Sequence, residues 1–144
     1  MKVLFDTSVM VAALVPAHEH HARCFPWLAR SGRDGFRSHV AAHSLTELFS
    51  VLTELPLRPR ISPAAAMRLI DENVLQRSRV VALDAAEFAD LLRDVARLGL
   101  SGGVIHDAVI ARAARKARVD TLLTLNVADF RRAWPEGHAV ISAP

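Results

Sequence analysis

Near its amino terminus the chain reads Val3-Leu4-Phe5-Asp6-Thr7-Ser8-Val9, an apolar run that ends at an acid and leads into a second apolar segment. The apolar residues over 2–5 predict a short buried strand, and the polar residues that follow can accept the free N–H groups of a helix's first turn. Asp6 would then lie at the carboxyl end of the strand. In a parallel sheet, that end borders the crevice in which ligands bind.

The rest of the chain alternates between strand patterns and helix patterns. Strands are predicted over 36–40, 79–83, 121–125 and 139–142, and helices over 9–15, 20–30, 44–55, 62–77, 84–99 and 104–116. This alternation predicts an α/β fold with a central parallel β-sheet flanked by helices on both faces. Because no linker, repeat or low-complexity tract interrupts it, we expect residues 1–144 to form a single domain.

Composition limits the class of protein. The chain has 144 residues, of which 51% are hydrophobic, so it can bury a core, and it contains no apolar run of the ~18 residues that a membrane span needs. The first strand begins at Lys2 and leaves no room for a signal peptide, while the single Cys24 excludes an internal disulfide. We therefore expect a cytoplasmic protein without a membrane partner.

The net charge of +3 does not identify a partner. Almost all basic residues are arginine, which suits phosphate recognition, but codon bias in a GC-rich genome explains the same composition equally well.

Four acids lie at the edges of apolar segments, and they are Asp6, Glu47, Asp107 and Asp129. Acids at the carboxyl ends of buried strands, or at the start of the following helices, can converge in one crevice. Like charges repel and burial penalises them, so such a cluster needs a cation. Oxygen ligands suit hard divalent ions, and the pattern predicts a site for Mg²⁺ or Mn²⁺.

Each acid also has a purely structural interpretation. Asp6 could cap a helix, and Asp129 could be a turn residue. Asp107 could be a first-turn residue whose negative charge is stabilised by the helix dipole. Glu47 could be a solvent-exposed residue beside an apolar stripe. Glu54, seven residues later on the same side of the helix, serves as the comparison for that structural interpretation. The stripe consists of Leu48, Val51, Leu52 and Leu55.

Other α/β families with a functional turn after the first strand fit poorly. One phosphatase family needs a second Asp where this chain has Ser8. Response-regulator receivers need an acidic pair at the first strand, and dinucleotide-binding domains need a glycine-rich turn there. Neither feature is present.

Taken together and in order, four segments resemble the PIN-domain family, and specifically the ribonuclease toxins of VapBC toxin–antitoxin pairs. The resemblance covers nearly the whole chain. Its motifs are Val3-Leu4-Phe5-Asp6-Thr7-Ser8-Val9, Leu45-Thr46-Glu47-Leu48 with Val51-Leu52, His106-Asp107-Ala108-Val109-Ile110-Ala111, and Thr124-Leu125-Asn126-Val127-Ala128-Asp129-Phe130.

The resemblance implies a PIN-like fold and a Mg²⁺- or Mn²⁺-dependent endoribonuclease that attacks RNA phosphodiesters with a metal-activated water. It makes Asp6 and Asp107 the metal ligands, with Glu47 and Asp129 completing the catalytic site. Family members differ in whether the last acid occupies the position of Asn126 or of Asp129. Water as nucleophile predicts 5′-phosphate and 3′-hydroxyl ends.

The same resemblance implies a cognate antitoxin and a homodimer. Candidates for the dimer interface are the apolar residues Val11, Leu14, Leu52 and Leu55. Two rival hypotheses remain at this point: a non-catalytic RNA-binding or assembly module with a degenerate site, and a DNA nuclease of related architecture.

Three further groups have open roles. Thr7 and Thr124 could orient the acids. The basic residues Arg112, Arg115, Lys116 and Arg118 could line an RNA path or form a solvated helix end. The segment His18-Glu19-His20-His21 invites a zinc hypothesis, but an exposed loop is the simpler interpretation.

Overall fold

The computed structural model describes all residues 1–144, which form a single five-stranded sheet with helices on both faces. Its elements are, in chain order, β1 (Lys2–Phe5), α1 (Thr7–Leu14), α2 (His21–Leu28), β2 (Arg37–Ala41), α3 (Ala42–Glu54), α4 (Pro63–Ile70) with a π-helical continuation (Asp71–Leu75), β3 (Ser78–Val81), α5 (Ala85–Arg97), α6 (Val104–Ala117), β4 (Thr121–Leu123), α7 (Val127–Ala133), a 3₁₀ turn (Pro135–Gly137) and β5 (Ile141–Ser142). All strand pairs are parallel, which confirms the predicted fold class.

Strand β1 lies at the centre of the sheet and is buried on both faces. Val3 and Phe5 face one core with residues of α1, α2, α3 and α4, whereas Leu4 faces a second core with residues of α6 and α7. Burial on both faces explains why this strand is a continuous apolar run rather than an alternating one.

The strand order β3-β2-β1-β4-β5 creates a switch point beside β1. The chain moves from β1 to β2 and β3 on one side, and later returns to β4 and β5 on the other. At the carboxyl edge the backbone N–H of Asp6 donates to the carbonyl of Leu123, 3.0 Å away, so the ends of β1 and β4 meet there. A crevice at this position is the usual ligand site of such sheets.

Helix α7 was not predicted, and Asp129 lies in its first turn rather than in a loop turn. The helix has only seven residues, too few to show a clear helical period, and it is held by the fully buried Phe130. Placement of Asp129 therefore depends on tertiary packing that the local sequence does not reveal.

The apolar stripe predicted on α3 is only partly buried. Leu48 and Leu52 are fully buried in the core, but Val51 is 37% exposed. At 100° per residue Val51 lies off the axis of the other two, and no neighbouring element covers it.

Two of the four residues predicted to form a dimer interface belong to the core. Val11 is 7% exposed and Leu52 is 0% exposed, and both contact the cluster around β1, so neither can present itself to a second copy. Leu14 and Leu55 are partly buried against the same cluster. None of the helices combines the length and apolarity needed to cross a membrane.

Candidate metal centre at the carboxyl edge of the sheet

Asp6 is 3% exposed and is held by two hydroxyl donors. Its Oδ2 accepts from Ser8 Oγ at 2.5 Å and from Thr124 Oγ1 at 2.8 Å. Each hydroxyl oxygen accepts in turn from a backbone N–H, Ser8 from Leu125 and Thr124 from Asn126. This network joins the ends of β1 and β4 and fixes the carboxylate in one orientation.

This network argues against the alternative interpretation of Asp6 as a residue that only caps a helix. Asp6 does occupy the N-cap position of α1, but no capping hydrogen bond from its side chain closes the helix. Burial raises the pKa of the Asp6 carboxyl, and the bonds from Ser8 and Thr124 offset part of that rise. Thr124 makes the predicted orienting contact, whereas the buried Thr7 hydroxyl has no partner and Ser8 fills that role.

Asp107 lies in the first turn of α6, and its pKa responds to the other three acids. Burial first, and then the charges of Asp6, Asp129 and Glu47, raise the pKa of Asp107 from its ordinary value of 3.8 to about 6, against a smaller lowering by His106. The other three predicted acids therefore act on the carboxylate of Asp107, although they come from widely separated segments.

Glu47 reaches the crevice from α3, and its Oε1 is buried without a hydrogen-bond donor. Nε2 of His43, one helical turn earlier, lies 2.9 Å from that oxygen and also 2.9 Å from Nδ1 of His106, with which it forms the hydrogen bond. Sequence reasoning missed His43, although its i, i+4 spacing to Glu47 is a detectable signal. Glu54, the structural control, is exposed at the last position of α3.

Asp129 is the most exposed of those among the four acids that have an ion-pair or hydrogen-bond partner. Its Oδ1 accepts from Arg132 at 2.8 Å, and both side chains are about half exposed or more. Asn126 precedes α7 as its N-cap residue and is exposed. The charge of Asp129 is therefore partly balanced by Arg132 and open to solvent.

The donor set fits a hard divalent ion. Two carboxylates with raised pKa values, Asp6 and Asp107, lie beside an unpaired carboxylate oxygen of Glu47. A divalent cation would remove the mutual repulsion that, after burial, contributes to the raised pKa of Asp107. A site built only for structure would instead pair these acids with arginine or lysine.

The basic end of α6 serves partly to hold the fold together. Arg112 forms an ion pair with Asp94 of α5 at 2.5 Å, and Lys116 binds Glu87 at 2.7 Å. Each pair joins α6 to α5. Two of the four basic residues proposed to line an RNA path are therefore already paired with acids.

The His18–His21 segment does not form a metal cluster. His18 Nδ1 accepts from the backbone N–H of His20 at 3.1 Å, and Nδ1 of His21 bonds the Ala12 carbonyl at 2.9 Å. The ligand atoms of three side chains do lie within 4.8 Å of one another elsewhere in the chain, and these belong to His43, Glu47 and His106.

The raised pKa of Asp107 predicts a measurable effect on metal-free stability. Between about pH 4 and pH 6 the folded protein holds a proton that the unfolded chain has released, so this carboxyl's favourable contribution is lost as pH rises through 6. At pH 7, Asp107→Asn is expected to be more stable than wild type by on the order of 1 kcal/mol, a value discounted for solvent screening. Below pH 4 the difference should vanish.

Urea unfolding in EDTA at several pH values measures this difference directly. Comparison of the two proteins cancels the opposite trend from His39, whose pKa is lowered mainly by burial. Equal stabilities at pH 7 would show that the four acids do not interact as described.

Comparisons with known proteins show the family of the chain. The family model described as "PIN domain" matches residues 3–133. Ribonuclease VapC27 of Mycobacterium tuberculosis is 33% identical over 115 residues, which cover 80% of this chain and 78% of the relative.

Solved structures share the fold. A VapBC2 structure from Rickettsia felis, bound to a DNA fragment from its promoter, aligns with a TM-score of 0.68 at 18% identity and covers 100% of this chain and 99% of that one. Mycobacterium tuberculosis VapC20, described as a sarcin–ricin loop cleaving toxin, aligns with a TM-score of 0.66 at 16% identity over 83% of this chain and 86% of its own. The chain therefore belongs to the PIN-domain family as a VapC-like member, as the ordered acid motifs predicted.

Proposed function

We propose that the four acids of the crevice form the catalytic site of a Mg²⁺- or Mn²⁺-dependent endoribonuclease. The class of the protein, a ribonuclease toxin of a toxin–antitoxin system, follows from its family and agrees with the prediction from sequence. The observation that supports the site is that, beside burial, the charges of Asp6, Asp129 and Glu47 all contribute to the raised pKa of Asp107.

Asp6 and Asp107 would hold the ion, because burial raises the pKa of both carboxyls and neither forms an ion pair with a lysine or arginine. Glu47 and Asp129 would complete the site, directly or through water. A bound ion would supply an activated water for attack on phosphorus and would stabilise charge on the leaving oxygen. Ser8 and Thr124 keep the Asp6 carboxylate in position before the ion arrives.

The partners follow from the same proposal. RNA is the substrate, and a cognate antitoxin would control the enzyme, as the VapBC neighbour suggests. A homodimer remains part of the proposal, but its interface must exclude the core residues Val11 and Leu52. We place the protein in the cytoplasm, where its RNA substrates are.

The nature of the cut ends tests this chemistry. With water as the nucleophile, fragments are expected to carry 5′-phosphate and 3′-hydroxyl groups, because the RNA 2′-hydroxyl takes no part. Purified protein is incubated with total RNA and Mg²⁺, and the new ends are tested by ligation that requires a 5′-phosphate. Ends with 2′,3′-cyclic phosphate would contradict a metal-supplied nucleophile, and cleavage of DNA alone would favour the related DNA nucleases.

A further inference from the structure

We propose that His43, His106 and Glu47 form a second metal site, selective for a transition-metal ion such as Zn²⁺ or Co²⁺. The ligand atoms of the three side chains all lie within 4.8 Å of one another. The site is distinct in chemistry from the acid crevice, and its existence does not depend on RNA cleavage.

The local structure presents all three ligands to one point. His43 and Glu47 lie on the same face of α3, one turn apart, and His106 extends from the first turn of α6. The two imidazole rings are nearly parallel, with an interplanar angle of 9° and centroids 5.1 Å apart. This arrangement places Nε2 of His43 within 2.9 Å of both other ligand atoms.

One hydrogen bond does not satisfy all three ligand atoms. Nε2 of His43 lies 2.9 Å from both His106 Nδ1 and Glu47 Oε1, but the hydrogen bond is the one with His106, and Oε1 of Glu47 stays buried without a hydrogen-bond partner. A metal ion has several coordination positions and would satisfy all three atoms. Tetrahedral ligands about 2.0–2.1 Å from zinc lie roughly 3.3 Å from one another, so shifts of a few tenths of an ångström would suffice for the 2.9 Å contacts.

The choice of metal follows from the ligands. Two imidazole nitrogens favour zinc, cobalt, nickel or copper over magnesium, which prefers oxygen. His106 is exposed, so an ion can enter from solvent and keep one position open. Because Glu47 also belongs to the acid crevice, an ion bound here would lie directly beside the proposed catalytic site.

The test uses full-length protein without a polyhistidine tag, stripped with a chelator and titrated with Co²⁺ while its visible absorption is recorded. With excess Mg²⁺ present throughout to occupy the acid crevice, we expect one Co²⁺ ion per chain, displaced by Zn²⁺ but not by a further excess of Mg²⁺. Replacement of a direct ligand, in His106→Ala or in His43→Ala, should weaken Co²⁺ binding at least about 100-fold. Loss of a residue that only hydrogen-bonds to a metal ligand already weakens binding by up to about 100-fold, and loss of the ligand itself should cost no less.

A matched control comes from the other histidine-rich segment. His18→Ala combined with His20→Ala should bind Co²⁺ as wild type does, because those side chains do not converge with a third ligand. Asp6→Asn should also retain the absorption band. Wild-type affinity in His106→Ala, loss of binding in the His18/His20 variant, or displacement by Mg²⁺ would each overturn the proposal.

Discussion

Asp107→Asn is expected to cleave RNA at least about 1000-fold more slowly than wild type. A bound divalent ion supplies several kcal/mol of transition-state stabilisation, and each ~1.4 kcal/mol is a factor of ten in rate. Asp107 is the carboxylate on which the other three acids act, so replacing it with a neutral amide removes the centre of the donor set. The rate is measured as the loss of full-length RNA with Mg²⁺ at fixed enzyme concentration.

Unfolding is not the expected explanation of such a loss. Asparagine has the shape of aspartate, and removal of the charge should raise metal-free stability at pH 7. Glu54→Gln is the matched control, since Glu54 is an exposed carboxylate at the end of α3 and lies outside the crevice. Its rate should equal that of wild type. An Asp107→Asn protein that cuts at the wild-type rate would remove this residue from the site.

Leu52→Ala is expected to lower the free energy of unfolding by about 2–5 kcal/mol. The side chain is fully buried in the core that also contains Val3, Phe5 and Leu48, so truncation leaves a cavity there. Val51→Ala, one residue earlier and 37% exposed, should change stability by less than about 1 kcal/mol. Urea unfolding of both variants provides the measurement.

The variants Leu52→Ala and Val51→Ala distinguish a core residue from a possible interface residue on the same helix. If Leu52 instead formed a dimer contact, wild-type unfolding would depend on protein concentration, and truncation of Leu52 would reduce that dependence while leaving monomer stability unchanged. That result would contradict the assignment of α3's buried face to the core of the chain. Loss of a concentration dependence in Val51→Ala alone would point to the exposed flank of α3 as the interface.

Much of the fold could be predicted because its signals are local. The apolar run before Asp6 predicts a strand buried on both faces, and Asp84 with Glu87 predicts the capping box that the structure shows at the start of α5. The helix predicted over 104–116 is present as α6, residues Val104–Ala117. In each case neighbouring residues determine the outcome.

The features that sequence reasoning missed depend on contacts between distant segments. Phe130 stabilises α7 only through the core formed with α6 and β4, so the short helix had no local signal. Pairing of Arg112 with Asp94 requires that α5 lie beside α6. The spacing of His43 to Glu47 is a local signal, but its contact with His106, 2.9 Å away, requires that α6 lie beside α3.

Metal-dependent cleavage of total RNA by purified, antitoxin-free protein tests the central proposal most directly. The cleavage rate is measured in the presence of Mg²⁺, of Mn²⁺ or of EDTA, for wild type and for Asp6→Asn. In the wild type, the Asp6 carboxylate is held in place where the ends of β1 and β4 meet. We expect cleavage by wild type with either metal, none with EDTA, and almost none by the variant. Undiminished cleavage in EDTA or by Asp6→Asn would contradict a metal centre built on these acids.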